Sequence, residues 1–292
     1  MKQRIQRLLT DALDKPVDVH DLRSTAGGDI NEASLADTSE GRLFVKYNHS
    51  GPADLMEREA EALREMRAGD TSLVIPEPIV AARPDGNSPS ILILEYLEPG
   101  TEIAGFDERL GRGLAQLHET TAEGFGFHHD NYCGTTPQPN DWQDDWVDFY
   151  REKRLRHQLR LAVDHRQVSS SDRRAFDRLL ERLDDLLGID PEPPALIHGD
   201  LWSGNLHTAP DGRPSILDPA AYYGHCEAEI GMMELFGGFS ETVYAAYQEV
   251  RPLQDGWRDR IPLYSLYHVM NHYNLFGGHY GRQAFDIVGR YV

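Results

Sequence analysis

The chain has 292 residues, of which 40% are hydrophobic and 26% charged, with a formal net charge of −19. This is the composition of a folded protein with room for two domains or one large one, and the acidic excess disfavours nucleic acid, which is bound by basic clusters. No apolar run approaches the ~18 residues of a membrane span, the start reads as amphipathic helix rather than a signal peptide, and Cys133 and Cys226 are too few for a disulfide framework or a zinc site, so a cytoplasmic protein with free thiols and no membrane partner is expected.

Residues 1–13 predict a helix, with Ile5, Leu8, Leu9 and Ala12 on one stripe. Arg23 to Asp37, the Thr38-Ser39-Glu40-Gly41 turn and Arg42 to Tyr47 then predict strand, glycine turn, strand, hairpin and strand. Gly27-Gly28 lets backbone N–H groups approach phosphate oxygens closely, although a Gly-Gly turn is also an ordinary turn. Lys46 adds weight to the phosphate reading. Lysine stands only at positions 2, 15, 46 and 153 among 29 basic residues, so an ammonium in an alternating strand is a marked choice. Such a lysine reaches phosphates in kinases and needs an acidic partner. Glu59, in the helical stretch 54–67, is the best candidate, with Glu57 and Glu61 as competitors that periodicity does not separate.

Two strands are expected next, the second being Ser90 to Glu95, which runs into Tyr96-Leu97-Glu98-Pro99-Gly100. This apolar strand ending in Pro-Gly reads as a crossing between two lobes, 1–96 and 97–292, with the backbone from Glu95 to Leu97 available to adenine. Beyond it the pattern turns helical over 106–119, 142–162, 172–187, 228–236, 242–250 and 257–276.

Between these helices lies Ile197-His198-Gly199-Asp200-Leu201-Trp202-Ser203-Gly204-Asn205. Ala195-Leu196-Ile197, after a proline-rich turn, predicts a short buried strand. Leu206 to Thr208 and Ser215 to Leu217 flank Pro210-Asp211-Gly212-Arg213-Pro214, which is hairpin chemistry. Asp200 and Asn205 keep the spacing of the kinase catalytic loop, where the Asp accepts the substrate hydroxyl proton and the Asn holds Mg²⁺. Asp218, at the far end of the hairpin, stands where the second metal ligand belongs. One Asn and one Asp suit Mg²⁺, which takes few protein ligands and prefers oxygen. Each residue alone reads equally well as a turn former; the three together at this spacing read as a site.

The chain resembles a protein-kinase-like fold and, more narrowly, the fructosamine kinase (ketosamine-3-kinase) family, a relative of the aminoglycoside phosphotransferases. The narrower resemblance rests on Gly27 to Asn31, on Asn131-Tyr132-Cys133-Gly134-Thr135-Thr136-Pro137-Gln138-Pro139-Asn140 through Trp146, and on His198 to Asn205 with Asp218 to Glu229 and Met233 to Phe239. It implies an α+β bilobal fold, with a small N-terminal antiparallel-sheet lobe and a larger, mainly helical C-terminal lobe. It also implies ATP-dependent phosphorylation of the sugar 3-hydroxyl of free or protein-bound ketosamines, a deglycation repair. By the same resemblance Asp200 is the catalytic base, Asn205 and Asp218 hold Mg²⁺, and Gly27, Gly28, Asn31, Lys46 and Glu59 serve ATP. Trp202 and His198 lie on the substrate side, His198 also bracing the loop. Some family members carry a redox-active Cys in the glycine turn; Asp29 stands there in this chain, so that regulation is not expected.

Trp142 and His225 read as packing or hydrogen-bonding residues, and His118 as structural. Asp144, Asp145, Glu227 and Glu229 read as solvated, with attraction of the substrate amine as the alternative. Two other functions are open to these motifs: an aminoglycoside- or choline-type small-molecule kinase, and a nucleotide-binding regulator without turnover. The acidic, lysine-poor composition also suits a high-salt cytoplasm, where screening relieves self-repulsion, although ordinary acidic enzymes share it. In that setting the melting temperature rises between low and molar salt; no rise in a thermal scan rejects the salt reading.

Overall fold

Strand alternation and one doubly apolar strand build the N-terminal sheet. The computed structural model describes residues 1–25 and 31–292. Helix α1 (Lys2–Leu13) leads into strands β1 (Val19–Thr25), β2 (Glu32–Thr38) and β3 (Gly41–Asn48), helix α2 (Leu55–Ala68), and strands β4 (Pro78–Ala82) and β5 (Ser90–Glu95). The pairings are antiparallel in the order β1-β2-β3-β5-β4. Strand β5 is apolar on both faces. Ile91 and Ile93 pack with Ile5 and Leu9 of α1, whereas Leu92 and Leu94 pack with Met56, Leu63 and Met66 of α2. Lys46 pairs in register with Leu92, so it lies on the α2 face.

The rest is mainly helical. It comprises α3 (Phe106–His118), the hairpin β6 (Asn131–Cys133) and β7 (Thr136–Gln138), α4 (Trp146–Phe149), a π-helical stretch Tyr150–Leu155, α5 (Arg156–His165), α6 (Ser170–Glu181) and α7 (Leu183–Leu187). Then come β8 (Ala195–Ile197), β9 (Leu206–Thr208), β10 (Pro214–Ile216), β11 (Tyr222–Gly224), α8 (Cys226–Phe236), α9 (Glu241–Val250), α10 (Trp257–Phe276) and α11 (His279–Val288). The core of these helices continues through α2 to Leu92 and Leu94 of the sheet. No helix among the described residues is long and apolar enough to cross a membrane.

The expected helix over 142–162 starts later. Asp145 caps it by accepting from the Asp148 N–H at 2.8 Å, and residues before it are extended, with Gln143 bridging Phe125. The helix expected over 172–187 breaks at Arg182 into α6 and α7. The β6–β7 hairpin, β11 and α11 stand outside the expected elements.

That hairpin is held by buried amides. Asn131 donates to the Ala221 carbonyl (2.8 Å), and its Oδ1 accepts from Gln138 (2.8 Å) and Asn140 (2.8 Å). Gln138 also donates to the Ala220 carbonyl at 3.0 Å and accepts from the Tyr267 hydroxyl at 2.7 Å. Arg154, fully buried in the π-helical stretch, donates to the Pro139 carbonyl (2.7 Å) and Asn140 Oδ1 (2.8 Å) and lies 3.9 Å over the Tyr222 ring. Ring faces and carbonyl dipoles take the place of a carboxylate partner. The contacts to Ala220, Ala221 and the Tyr222 ring tie the hairpin and Arg154 to the segment just after Asp218. Arg154→Met is expected to cost about 3 kcal/mol, because it strands buried acceptors. Urea denaturation measures it, and a loss under about 1 kcal/mol contradicts the clamp.

Candidate active site

Strand β8 is buried along its length and pairs with β11, delivering His198-Gly199-Asp200 to the mouth of the helical part. Gly199 takes φ +80°, and a Cβ there would meet the Ala220 carbonyl oxygen at 2.3 Å, so only glycine fits. His198 is fully buried. Its Nε2–H donates to the Leu217 carbonyl at 2.7 Å and its Nδ1 accepts from the Asp200 N–H at 3.3 Å, which fixes a neutral tautomer. Burial holds its pKa below the ordinary value. The ring therefore staples Asp200 to the end of β10. It does not line the cavity, so the expected substrate contact of His198 gives way to bracing.

Glu229 on α8 is fully buried, and its carboxylate accepts from the backbone N–H groups of His198 and Gly199. Glu227 is also buried, forked onto Arg260 at 2.6 and 2.7 Å. Both correct the expectation of solvated acids. His118 is buried with its Nδ1 2.8 Å from the Tyr247 hydroxyl, and His225 caps α8 through Glu227 N–H. Trp142 is exposed at the surface beside His128 and Tyr223.

Lys46, 4% exposed, donates to both Glu59 oxygens at 2.7 and 2.9 Å and to Asp218 Oδ1 at 2.9 Å. Burial alone would lower its pKa, but Asp218 and Glu59 outweigh burial and hold it above its ordinary value. The competitors are engaged elsewhere: Glu57 with Arg83 and Glu61 with Arg58. Asp218 adopts φ +58°, left-handed for a non-glycine residue. Asn205 closes a 3₁₀ turn, Ser203–Asn205, and donates from Nδ2 to the Asp200 carbonyl at 2.8 Å, while its own carbonyl accepts from Leu217 N–H at 2.9 Å. Burial, then the charges of Asp218 and Glu229, push the Asp200 carboxyl well above the usual range.

These residues share one cavity of about 520 Å³, lined by Lys46, Glu59, Asp200, Trp202, Asn205 and Asp218 among others. Asn31 lines it as well and accepts from the Asn48 side chain at 2.9 Å. Gly27 and Gly28 lie outside the described residues. Glu95 and Leu97 do not line this cavity. Glu95 N–H donates to the Glu77 carbonyl at 3.0 Å, and the Leu97 carbonyl accepts from His207 at 3.1 Å.

An aromatic wall closes one side of the cavity, and apart from Trp202 the sequence reading missed it. Trp202, 40% exposed, meets Phe236 edge-on with ring centres 6.3 Å apart; Phe236 lies 5.1 Å from His272, which lies 5.0 Å from Tyr280. Phe276 completes it. His272 Nδ1–H donates to the His268 carbonyl at 2.8 Å, which leaves Nε2 as the acceptor of the neutral ring. The only advance signal was the concentration of aromatic residues at the end of α10, which reads equally well as core.

The fructosamine kinase family model matches residues 1–292. A probable ketoamine kinase of Synechocystis sp. is 40% identical over 283 residues, covering 97% of this chain and 94% of that protein. The chloroplastic protein-ribulosamine 3-kinase of Arabidopsis thaliana is 43% identical over 282 residues, covering 95% and 84%. A crystal structure of a candidate fructosamine-3-kinase from Thermobifida fusca superposes with a TM-score of 0.84 at 34% identity, covering 99% of this chain and 97% of that one.

Glu229→Gln replaces an accepting oxygen with a donor facing two N–H groups. It is expected to lower kcat roughly 30-fold, about 2 kcal/mol, with nucleotide affinity little changed. Steady-state kinetics beside a fluorescence titration with ATP checks this, and an unaltered kcat removes Glu229 from loop positioning.

Proposed function

This chain belongs to the fructosamine kinase family, and we propose from that premise which of its residues carry out the family's phosphoryl transfer. The enzyme is an ATP-dependent phosphotransferase that acts on a sugar hydroxyl of ketosamines, a deglycation activity. The observation that supports our assignment of roles is the single cavity holding Lys46, Asp218, Asn205 and Asp200 on one side and an aromatic wall on the other.

In this reading ATP enters between the sheet and the helical part. We assign adenine to the backbone that follows β5, at the Leu97 N–H, beyond the rim of the 520 Å³ cavity. Lys46, held by Glu59, turns its third contact from Asp218 to phosphate oxygens, so the ammonium is already desolvated and aimed when negative charge develops. A magnesium ion suits the donors present: Asp218 offers carboxylate oxygen, and Asn205, whose amide nitrogen is committed to Asp200, keeps Oδ1 as its ligand atom. When bound, such an ion neutralises charge on the transferring phosphoryl group. Asp200 takes the proton of the sugar 3-hydroxyl late in transfer, and its raised pKa favours acceptance. The bond between the γ-phosphorus and its bridging oxygen breaks as the bond to the sugar oxygen forms.

The aromatic wall sets the acceptor. Trp202 and its neighbours offer flat apolar faces to sugar C–H groups, and they line an open mouth, where a ketosamine attached to a protein lysine has room. We place the enzyme in the cytoplasm, where ATP is available and Cys133 and Cys226 stay reduced.

Asp200→Ala is expected to lose roughly three orders of magnitude in kcat, ~4 kcal/mol of transition-state stabilisation, with ATP binding retained. Near-normal turnover rejects Asp200 as the base. Lys46→Met is expected to act instead on both ATP affinity and rate. Fructosyl-lysine and ribulosyl-lysine, assayed side by side with an aminoglycoside and choline under ATP and Mg²⁺, test the acceptor class. Phosphorylation of the aminoglycoside or choline in preference to both ketosamines overturns it.

A further inference from the structure

Two side chains beside Asp200, Cys133 and His268, have no part in the transfer just described. Cys133 at the end of β6, Asp200 after β8 and His268 on α10 bring a sulfur, a carboxylate oxygen and an imidazole nitrogen to within 4.8 Å of one another. His268 is 3% exposed, and its Nδ1 is buried with no hydrogen-bond partner. That nitrogen faces Asp200 Oδ1 at 3.9 Å. A buried nitrogen without a partner is costly and calls for an explanation. Cys133 and Asp200 both line the cavity, so the space between the three groups opens toward the substrate volume.

The two cysteines of the chain are too few for a zinc site of their own, but one thiolate with an imidazole and a carboxylate forms a mixed donor set that suits Zn²⁺ and its neighbours far better than Mg²⁺. Tetrahedral coordination, with bonds of about 2.0–2.3 Å, places ligand atoms about 3.3–3.7 Å apart. The His268–Asp200 pair needs to contract by about 0.6 Å to meet that spacing, and the Cys133 sulfur, within 4.8 Å of both, by at most about 1.3 Å.

We infer that Cys133, Asp200 and His268 form a site for a borderline transition-metal ion such as Zn²⁺, separate from the Asn205–Asp218 pair, and that filling it switches the kinase off. Three protein ligands leave the fourth position facing the cavity. On binding, the Cys133 thiol gives its proton to solvent as the sulfur–metal bond forms, and the carboxylate and neutral imidazole contribute lone pairs. No electron is transferred. The carboxylate that takes the substrate proton is then engaged, so inhibition rests on the reading of Asp200 as the base, whereas binding does not.

Cobalt(II) titrated into the nucleotide-free enzyme reads the site directly. One equivalent is expected, with a thiolate-to-cobalt charge-transfer band in the near ultraviolet that is lost in both Cys133→Ser and His268→Asn and kept in Cys226→Ser. Calorimetry is expected to give Zn²⁺ affinity at least 10-fold weaker in the first two variants. Thermal melting of each variant shows that it is folded. In the kinase assay with excess Mg²⁺, Zn²⁺ is expected to inhibit without competing with ATP, reversibly by chelator, and to inhibit Cys133→Ser at least 10-fold less effectively relative to that variant's own rate. Absence of the band, or its persistence in Cys133→Ser, overturns the site. Stoichiometric binding with undiminished phosphorylation overturns the switch, and with it Asp200 as the base, while the site stands.

Discussion

A lysine ammonium buried between two carboxylates is the interaction on which this architecture turns. Lys46 comes from the central sheet, Glu59 from the helix that covers one face of it, and Asp218 from the end of a hairpin 172 residues further along the chain. A charge taken out of water at that depth is tolerated only when it is fully paired, and removing one partner leaves another charge exposed to the same penalty. The three segments therefore have one mutually acceptable arrangement. It sets the sheet over the helical part with Lys46, Glu59 and Asp218 already converged.

The sheet itself is built for that role. Strand β5 is apolar on both sides, so one face is closed by α1 and the other is continuous, through α2, with the core of the helical part. Glu59 rides on the helix shared between sheet and core, and Lys46 sits on the strand beside Leu92. Packing and electrostatics thus act on the same two elements, which leaves little freedom for one to shift without the other.

Much of the site's geometry was legible because it depends on spacing. Asp200, Asn205 and Asp218 are separated by a short turn and one hairpin, and short connections leave few geometries; the structure gathers them as their spacing suggests. Glu59 read as the best partner of Lys46 and the structure pairs the two, but periodicity could not exclude Glu57 and Glu61, because all three lie within one turn and a half of α2 and the sheet position separates them. Glu227 and Glu229 misled for a different reason. In a chain of net charge −19, an acid reads as solvated, and nothing local reveals that α8 is buried nearly all round. Helix α10 has the same property, which hides the face bearing His268 and His272. The stretch from Asn131 to Asn140 carries the family resemblance but not its hairpin structure, because three-residue strands have almost no periodicity and its buried amides look, in sequence, like an exposed polar loop.

The left-handed backbone at Asp218 reaches beyond the geometry of one site. Among side chains with a Cβ, Asn and Asp tolerate that conformation best, and a branched or bulky residue does not. Conformation and charge are therefore inherited together at this position. A lineage that abandons phosphoryl transfer but keeps the fold is steered toward Asn or Gly there, rather than toward the full range of neutral residues. The backbone would then preserve the outline of this hairpin long after its charge had gone.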